Sequence, residues 1–152
     1  MGDVKRVGVV GAGAVGVTAA ADLAADGHDV TLFERDQIGA GSTGRAAGIC
    51  YDAFAGRLDA AVAARALERF RDLAAETRFS VTDRPYVWLA REGDEKRERA
   101  IREQVPRMRD NDRDVTLLDP DALAAEFPGL ETDDVAVAAV ARDALCADPA
   151  EY

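Results

Sequence analysis

VKRVGVVGAGAVGVTAAADLAADGHDVTLFER, residues 4–35, decides the fold. Val4 to Val10 is a short, mostly apolar and β-branched run, which predicts a buried parallel strand. Gly11, Gly13 and Gly16 follow at once and open an alanine-rich helix over Ala14 to Ala25, which Gly27 stops. Asp29 to Glu34 reads as a second strand, with Val30, Leu32 and Phe33 apolar. A glycine triplet of this spacing is a weak signal alone. Between a strand and a helix it is the dinucleotide-binding fingerprint. Gly11 permits the tight turn, Gly13 lets the backbone approach a pyrophosphate, and Gly16 allows the helix to pack closely on the strand. The helix N-terminus, beginning at Ala14, faces the phosphates with unpaired N–H groups and a partial positive charge. Glu34 closes the second strand, where a carboxylate accepts hydrogen bonds from ribose hydroxyls. It would repel a 2′-phosphate, so NADP is disfavoured while NAD and FAD remain.

Outward from this unit, Gln37 to Gly44 is a small-residue loop, and Arg45 to Ile49 is expected to open the next helix. Ala53 to Glu76 carries a helical pattern in which Leu58, Val62, Leu67, Phe70 and Leu73 share one face. Arg84 to Leu89 predicts a strand, Glu92 to Arg109 a charged helix, and Val115 to Leu118 another strand. Pro120 to Phe127 predicts a short helix with Asp119 as N-cap and Pro120 in the first turn. Val135 to Val140 is a last apolar strand, and Ala147 to Tyr152 reads as the start of a further helix.

The composition narrows the function. A formal charge of −10 with no basic stripe argues against nucleic acid. No apolar run reaches the roughly 20 residues needed to span a bilayer, so no membrane partner and a cytoplasmic location are the expectation. Lys5 and Lys96 are the only lysines, and aspartate outnumbers glutamate. That balance resembles proteins of salt-loving archaea, in which concentrated salt screens the self-repulsion. Cys50 and Cys146, far apart, read as two buried thiols, and with one histidine they give no metal site of ordinary spacing. His28, in Asp26-Gly27-His28-Asp29, reads as a solvated turn residue.

The next stretch separates NAD from FAD. Gly39-Ala40-Gly41-Ser42-Thr43-Gly44-Arg45-Ala46-Ala47-Gly48-Ile49 follows the second strand closely. With the fingerprint, it resembles the FAD-dependent D-amino acid oxidase and glycine/sarcosine oxidase superfamily, whose members carry a segment like GSTGRAAG beneath the flavin side of the cofactor. The resemblance continues more faintly through Leu118-Asp119-Pro120, Phe127-Pro128-Gly129-Leu130 and Ala147-Asp148-Pro149. It implies cofactor contacts from Gly11, Gly13, Ala14, Gly16, Glu34, Arg35, Ser42, Thr43, Arg45, Ala46, Ala47 and Gly48. In the dimethylglycine and sarcosine dehydrogenase branch a histidine of this loop bonds covalently to the flavin. Arg45 stands at about that place, so the resemblance implies non-covalent FAD.

The expected fold class is therefore α/β: a Rossmann-like FAD-binding β-α-β unit, then the beginning of an α+β substrate domain, the whole incomplete. The expected boundaries are 1–78 for the FAD part, 79–145 for the partial substrate domain, and 146–152 for the start of a helix returning to the FAD domain. A two-stranded parallel sheet with one crossover helix buries little alone and keeps an unpaired edge. The function implied is the N-terminal part of an oxidoreductase that oxidises an amine or amino acid by hydride transfer to flavin. The catalytic residues are expected outside this sequence. Two alternatives stand beside it: a non-catalytic remnant or split subunit that needs a complementing chain to hold FAD, and an NAD-dependent dehydrogenase fragment.

Overall fold

The computed structural model describes residues 3–149 and 151, which form two compact units. The first comprises 3–48 together with 148, 149 and 151; the second is Ile49–Ala147.

In the first unit, β1 (Arg6–Val10) leads through the glycine turn into α1 (Ala14–Ala25), and β2 (Asp29–Phe33) returns parallel to β1. The register runs from Arg6 opposite Asp29 to Val10 opposite Phe33. One face of this two-stranded sheet is half-buried through Val7, Val9, Val30 and Leu32, and α1 packs on both strands. Alternation along each strand leaves Val10 and Phe33 on the exposed face, at 87% and 56% exposure. The strands are thus half-buried on one side and exposed on the other, not buried on both.

No helix starts at Arg45. A single 3₁₀ turn spans Thr43–Arg45, Ala46 is extended, and Gly48 takes a positive φ of 67°. That left-handed residue cannot continue a helix, and the β-branched and aromatic side chains of Ile49 and Tyr51 suit the strand that follows.

The second unit opens with that strand, β3 (Ile49–Tyr51), followed by α2 (Arg57–Glu76), β4 (Val81–Asp83) and β5 (Tyr86–Arg91). Then come α3 (Glu95–Asp110), β6 (Val115–Leu118), α4 (Pro120–Glu126), β7 (Val135–Ala141) and β8 (Ala144–Ala147). Two antiparallel sheets result, ordered β3-β8-β4 and β5-β7-β6. Residues 49–78, expected with the FAD part, lie in this unit because β3 pairs with β8 and α2 packs on β3 and β4. Cys146 and Ala147, expected to begin a helix, belong to strand β8; that expected helix also covers 150 and 152, which lie outside the described residues.

The β5-β7-β6 sheet holds the core. On one face Ala90, Val137, Ala139, Ala141 and Val115 meet Ile101, Val105 and Met108 of α3. On the other, Val135 and Ala138 meet Leu123 of α4. Removing a fully buried leucine such as Leu123 costs on the order of 2–5 kcal/mol. Both flanking helices are capped by side chains: Asp94 accepts from the Arg97 N–H at 3.1 Å and Asp119 from the Ala122 N–H at 2.8 Å.

The apolar stripe of α2 is only partly used. Leu67 is buried, whereas Leu58 and Val62, grouped with it by the helical spacing, are exposed. The cysteines also differ from expectation: Cys50 is half-buried and Cys146 exposed. Cys50 lies opposite buried Leu145 and Cys146 opposite exposed Ile49, and cross-strand partners share a face, so the two thiols sit on opposite faces. His28 is half-buried rather than solvated, with its Nδ1 shielded from solvent.

Candidate dinucleotide site

The glycine turn between β1 and α1 is shaped by two different constraints. Gly11 has a φ of 98° with open space around it, so its glycine is required by backbone conformation. Gly16 is required by space: a Cβ there would lie 1.9 Å from the Gly11 carbonyl oxygen. The third glycine therefore lets α1 close down on the turn itself. A Cβ on Gly13 would lie 3.1 Å from Oγ1 of Thr43.

Hydrogen bonds bind the turn to the end of β2 and to the following loop. The Gly11 N–H donates to the Phe33 carbonyl at 2.8 Å, and the Gly39 N–H to the Ala12 carbonyl at 2.9 Å. The Ala12 N–H donates to Oε2 of Glu34 at 2.7 Å, and the Asp36 N–H to Oε1 at 2.9 Å. These two donors, Ala12 first, hold the Glu34 carboxyl below the usual glutamate range. The Ala14 N–H donates to Oγ1 of Thr43 at 3.0 Å, so a loop hydroxyl satisfies the first donor of α1. Val15 and Gly16 follow in the first turn, where N–H groups lack intrahelical acceptors. The loop closes on itself where the Gly44 N–H donates to the Gly39 carbonyl at 2.8 Å.

A cleft of about 700 Å³ lies along this turn. Of the residues implicated by sequence, Gly11, Gly13, Ala14, Gly16, Glu34, Arg35, Ser42, Thr43 and Arg45 line it. Ala46, Ala47 and Gly48 do not; the chain leaves the cleft after the 3₁₀ turn. Sequence reading missed Val10, Val15 and Phe33, whose exposed apolar side chains line the wall, and Asp36, Gly39, Ala40 and Gly41. Strand alternation beyond the fingerprint could have flagged Val10 and Phe33. Arg35 is exposed and pairs with Asp36 at 3.3 Å, and Arg45 makes a long contact to the Ala40 carbonyl at 3.3 Å. The cleft thus offers the fixed Glu34 carboxylate, a helix N-terminus, the Ser42 and Thr43 hydroxyls and two arginines, one of them paired with Asp36, a set suited to a ribose diol and a diphosphate.

No group of His, Cys, Asp and Glu suited to a metal ion occurs among the described residues, and none of their helices is long and apolar enough to cross a membrane.

Residues 6–152 match the family model described as DAO, FAD dependent oxidoreductase. Among solved structures, the chain is similar to L-proline dehydrogenase from P. horikoshii at 26% identity and a TM-score of 0.87, covering 99% of this chain and 40% of that one. Glycine oxidase from Geobacillus kaustophilus shares the fold at 21% identity and a TM-score of 0.85, over 96% of this chain and 42% of that one. L-alpha-glycerophosphate oxidase from Mycoplasma pneumoniae, determined with FAD bound, shares it at 15% identity and a TM-score of 0.69, over 98% and 39%. The chain spans 40% of the length of the proline dehydrogenase structure. No curated protein matches it.

Proposed function

The chain belongs to the DAO family of FAD dependent oxidoreductases, and from that premise we propose that residues 10–45 hold the adenosine diphosphate portion of non-covalent FAD. Glu34 carries the reading, because its carboxylate is fixed at the cleft by the Ala12 and Asp36 N–H groups. Its remaining lone pairs accept from the ribose hydroxyls. The first turn of α1 takes the diphosphate, Gly11, Gly13 and Gly16 keep the backbone within reach of it, and Thr43 and Ser42 add hydroxyl donors. Arg35 and Arg45 supply positive charge at the rim. Ala46, Ala47 and Gly48 carry the chain away from the cleft and onward to β3.

FAD, when bound, supplies the acceptor for a hydride leaving a substrate C–H beside nitrogen. This chain's own part is to bind and orient that cofactor as the N-terminal portion of an amine or amino acid oxidoreductase. The names of the relatives, L-proline dehydrogenase and glycine oxidase, support an amino acid as substrate. No catalytic base is assigned: of the titratable groups of the cleft, Glu34, Arg35 and Arg45 are given to the cofactor and Asp36 pairs with Arg35. A cytoplasm rich in salt is the setting this proposal assumes, on the strength of the aspartate-rich, lysine-poor charge balance. A second reading, in which FAD is held only together with the remainder of the fold, is favoured by the 40% span of the L-proline dehydrogenase structure.

The test is retention of FAD by the purified chain after free cofactor is removed. Bound flavin absorbance that is released on denaturation supports the proposal. A folded chain that retains no FAD contradicts it as a property of this chain alone.

A further inference from the structure

The middle glycine of the turn answers to neither of the constraints that fix the other two. Gly13 has φ −85° and ψ 177°, an extended conformation open to any residue, so backbone freedom does not require a glycine there. Beyond its chain neighbours, the one atom among the described residues that its Cβ would meet within 4 Å is Oγ1 of Thr43, at 3.1 Å. The backbone of the turn itself leaves room for a side chain.

Thr43 does the work of a capping residue from a distance. Gly13 is the N-cap of α1 and brings no side chain to it. Oγ1 of Thr43 accepts from the Ala14 N–H at 3.0 Å instead. A threonine hydroxyl carries one proton, and this contact uses only a lone pair. Its O–H therefore stays available to an acceptor in the cleft that Thr43 lines.

Oγ1 has little room to retreat. The Gly39 N–H donates to the Ala12 carbonyl at 2.9 Å and the Gly44 N–H to the Gly39 carbonyl at 2.8 Å. That second contact is close-packed, since a Cβ on Gly44 would lie 2.6 Å from the Gly39 oxygen. Thr43 is thus tied to the glycine turn by the backbone beside it and by its own hydroxyl. A Cβ on Gly13 would have to displace that hydroxyl and strain its bond to Ala14.

We propose that Gly13 is kept small for Thr43 and not for the cofactor. The two act as a pair: Gly13 makes room, and Thr43 caps α1 and holds a hydroxyl donor at its head. Thr43 is a positioning residue in this account, and Gly13 serves the diphosphate through it. The inference deepens the reading of the cleft as a dinucleotide site and rests on that reading for the acceptor, a diphosphate oxygen.

A double-mutant cycle on the full chain tests this, read by equilibrium dialysis of FAD and ADP and by thermal melts without nucleotide. Gly13→Ala should weaken both nucleotides about tenfold and lower the melting temperature. On a Thr43→Ala background the same substitution should cost less than about twofold in affinity, and clearly less in melting temperature. Thr43→Ser keeps Oγ, so it should bind within about threefold of wild type and restore the full penalty of Gly13→Ala. Equal effects of Gly13→Ala on the two backgrounds, in either readout, would overturn the proposal. So would a Thr43→Ser variant that behaves as Thr43→Ala does. In both cases FAD bound by the wild type still supports the dinucleotide site. If the wild type binds neither nucleotide, that reading falls, and equal melting losses on the two backgrounds would overturn the pairing as well.

Discussion

The backbone N–H of Ala12 donates to Oε2 of Glu34 across 2.7 Å, joining the glycine turn to the residue that follows β2. One carboxylate thereby both closes the turn and presents acceptors to the cleft. Glu34→Gln keeps an acceptor for one N–H but loses the charge, and Glu34→Ala loses both. FAD affinity should fall about tenfold in the first variant and further in the second, measured by equilibrium dialysis. Tolerance of NADP should rise in both. Unchanged FAD affinity in Glu34→Ala would remove Glu34 from the site.

The same hydrogen bonds set a pH dependence. The Glu34 carboxyl lies below the usual range because the Ala12 and Asp36 N–H groups favour its charged form. A depressed carboxyl contributes stability that is present above the unfolded value and lost as pH falls through the folded one. FAD binding should therefore be flat across neutral pH and weaken only below the ordinary glutamate range. A midpoint near neutrality in a binding titration would contradict this.

Gly16 gives the sharpest packing test. A Cβ on Gly16 meets the Gly11 carbonyl oxygen at 1.9 Å, whereas one on Gly129 meets nothing within 4 Å. Gly16→Ala must push α1 off the turn, at a cost of about 1–3 kcal/mol, and should lower FAD affinity at least tenfold. Gly129→Ala should leave affinity and melting temperature unchanged. Equal affinities for the two variants would show that the close approach is not needed.

Much of this site was legible because its signals are local. The glycine spacing, the β-branched run before it and the acid after β2 lie within 4–35, and strand, helix and strand fell where the pattern placed them. Asp119 and Pro120 were readable for the same reason, a cap and a first-turn proline being neighbours in sequence. The pairing of Ile49 with Cys146 was not, since nothing within three-residue β3 announces a partner so distant. Ala46 and Ala47 suggested a helix, but Gly48 takes a left-handed conformation that only the folded backbone reveals. Leu58 and Val62 carry a helical period without telling whether anything covers it.

In the second unit, Asp52 is 3% exposed and accepts from Arg113 at 2.5 Å. Asn111, two residues earlier, donates its side-chain amide to the carbonyls of Phe54 and Ala55. Asp52→Ala would strand the Arg113 charge at a cost of about 3–5 kcal/mol, whereas Asp52→Asn keeps an acceptor and should cost roughly 1 kcal/mol. Burial pushes the Asp52 carboxyl above the usual aspartate range, against the pull of Arg113. A raised carboxyl gives stability that grows as pH falls through the folded value, so wild type should gain on Asp52→Asn in mild acid. Denaturant unfolding at several pH values would show it, and a gap that moves the other way would contradict it.

The charge balance makes a further prediction. With a net charge of −10 and two lysines, self-repulsion should be relieved by salt, and the melting temperature should rise from low to molar KCl. A flat melting curve series would remove the argument for salt adaptation.

The most direct measurement of the central claim is an amide-resolved NMR titration of the chain with FAD. The account predicts that resonances of Gly13 to Gly16, Glu34 and Ser42 to Arg45 move to new, dispersed positions while those of Tyr86 to Ala141 stay in place. Unmoved resonances in those three segments at saturating FAD, or the largest shifts within Tyr86 to Ala141, would contradict it.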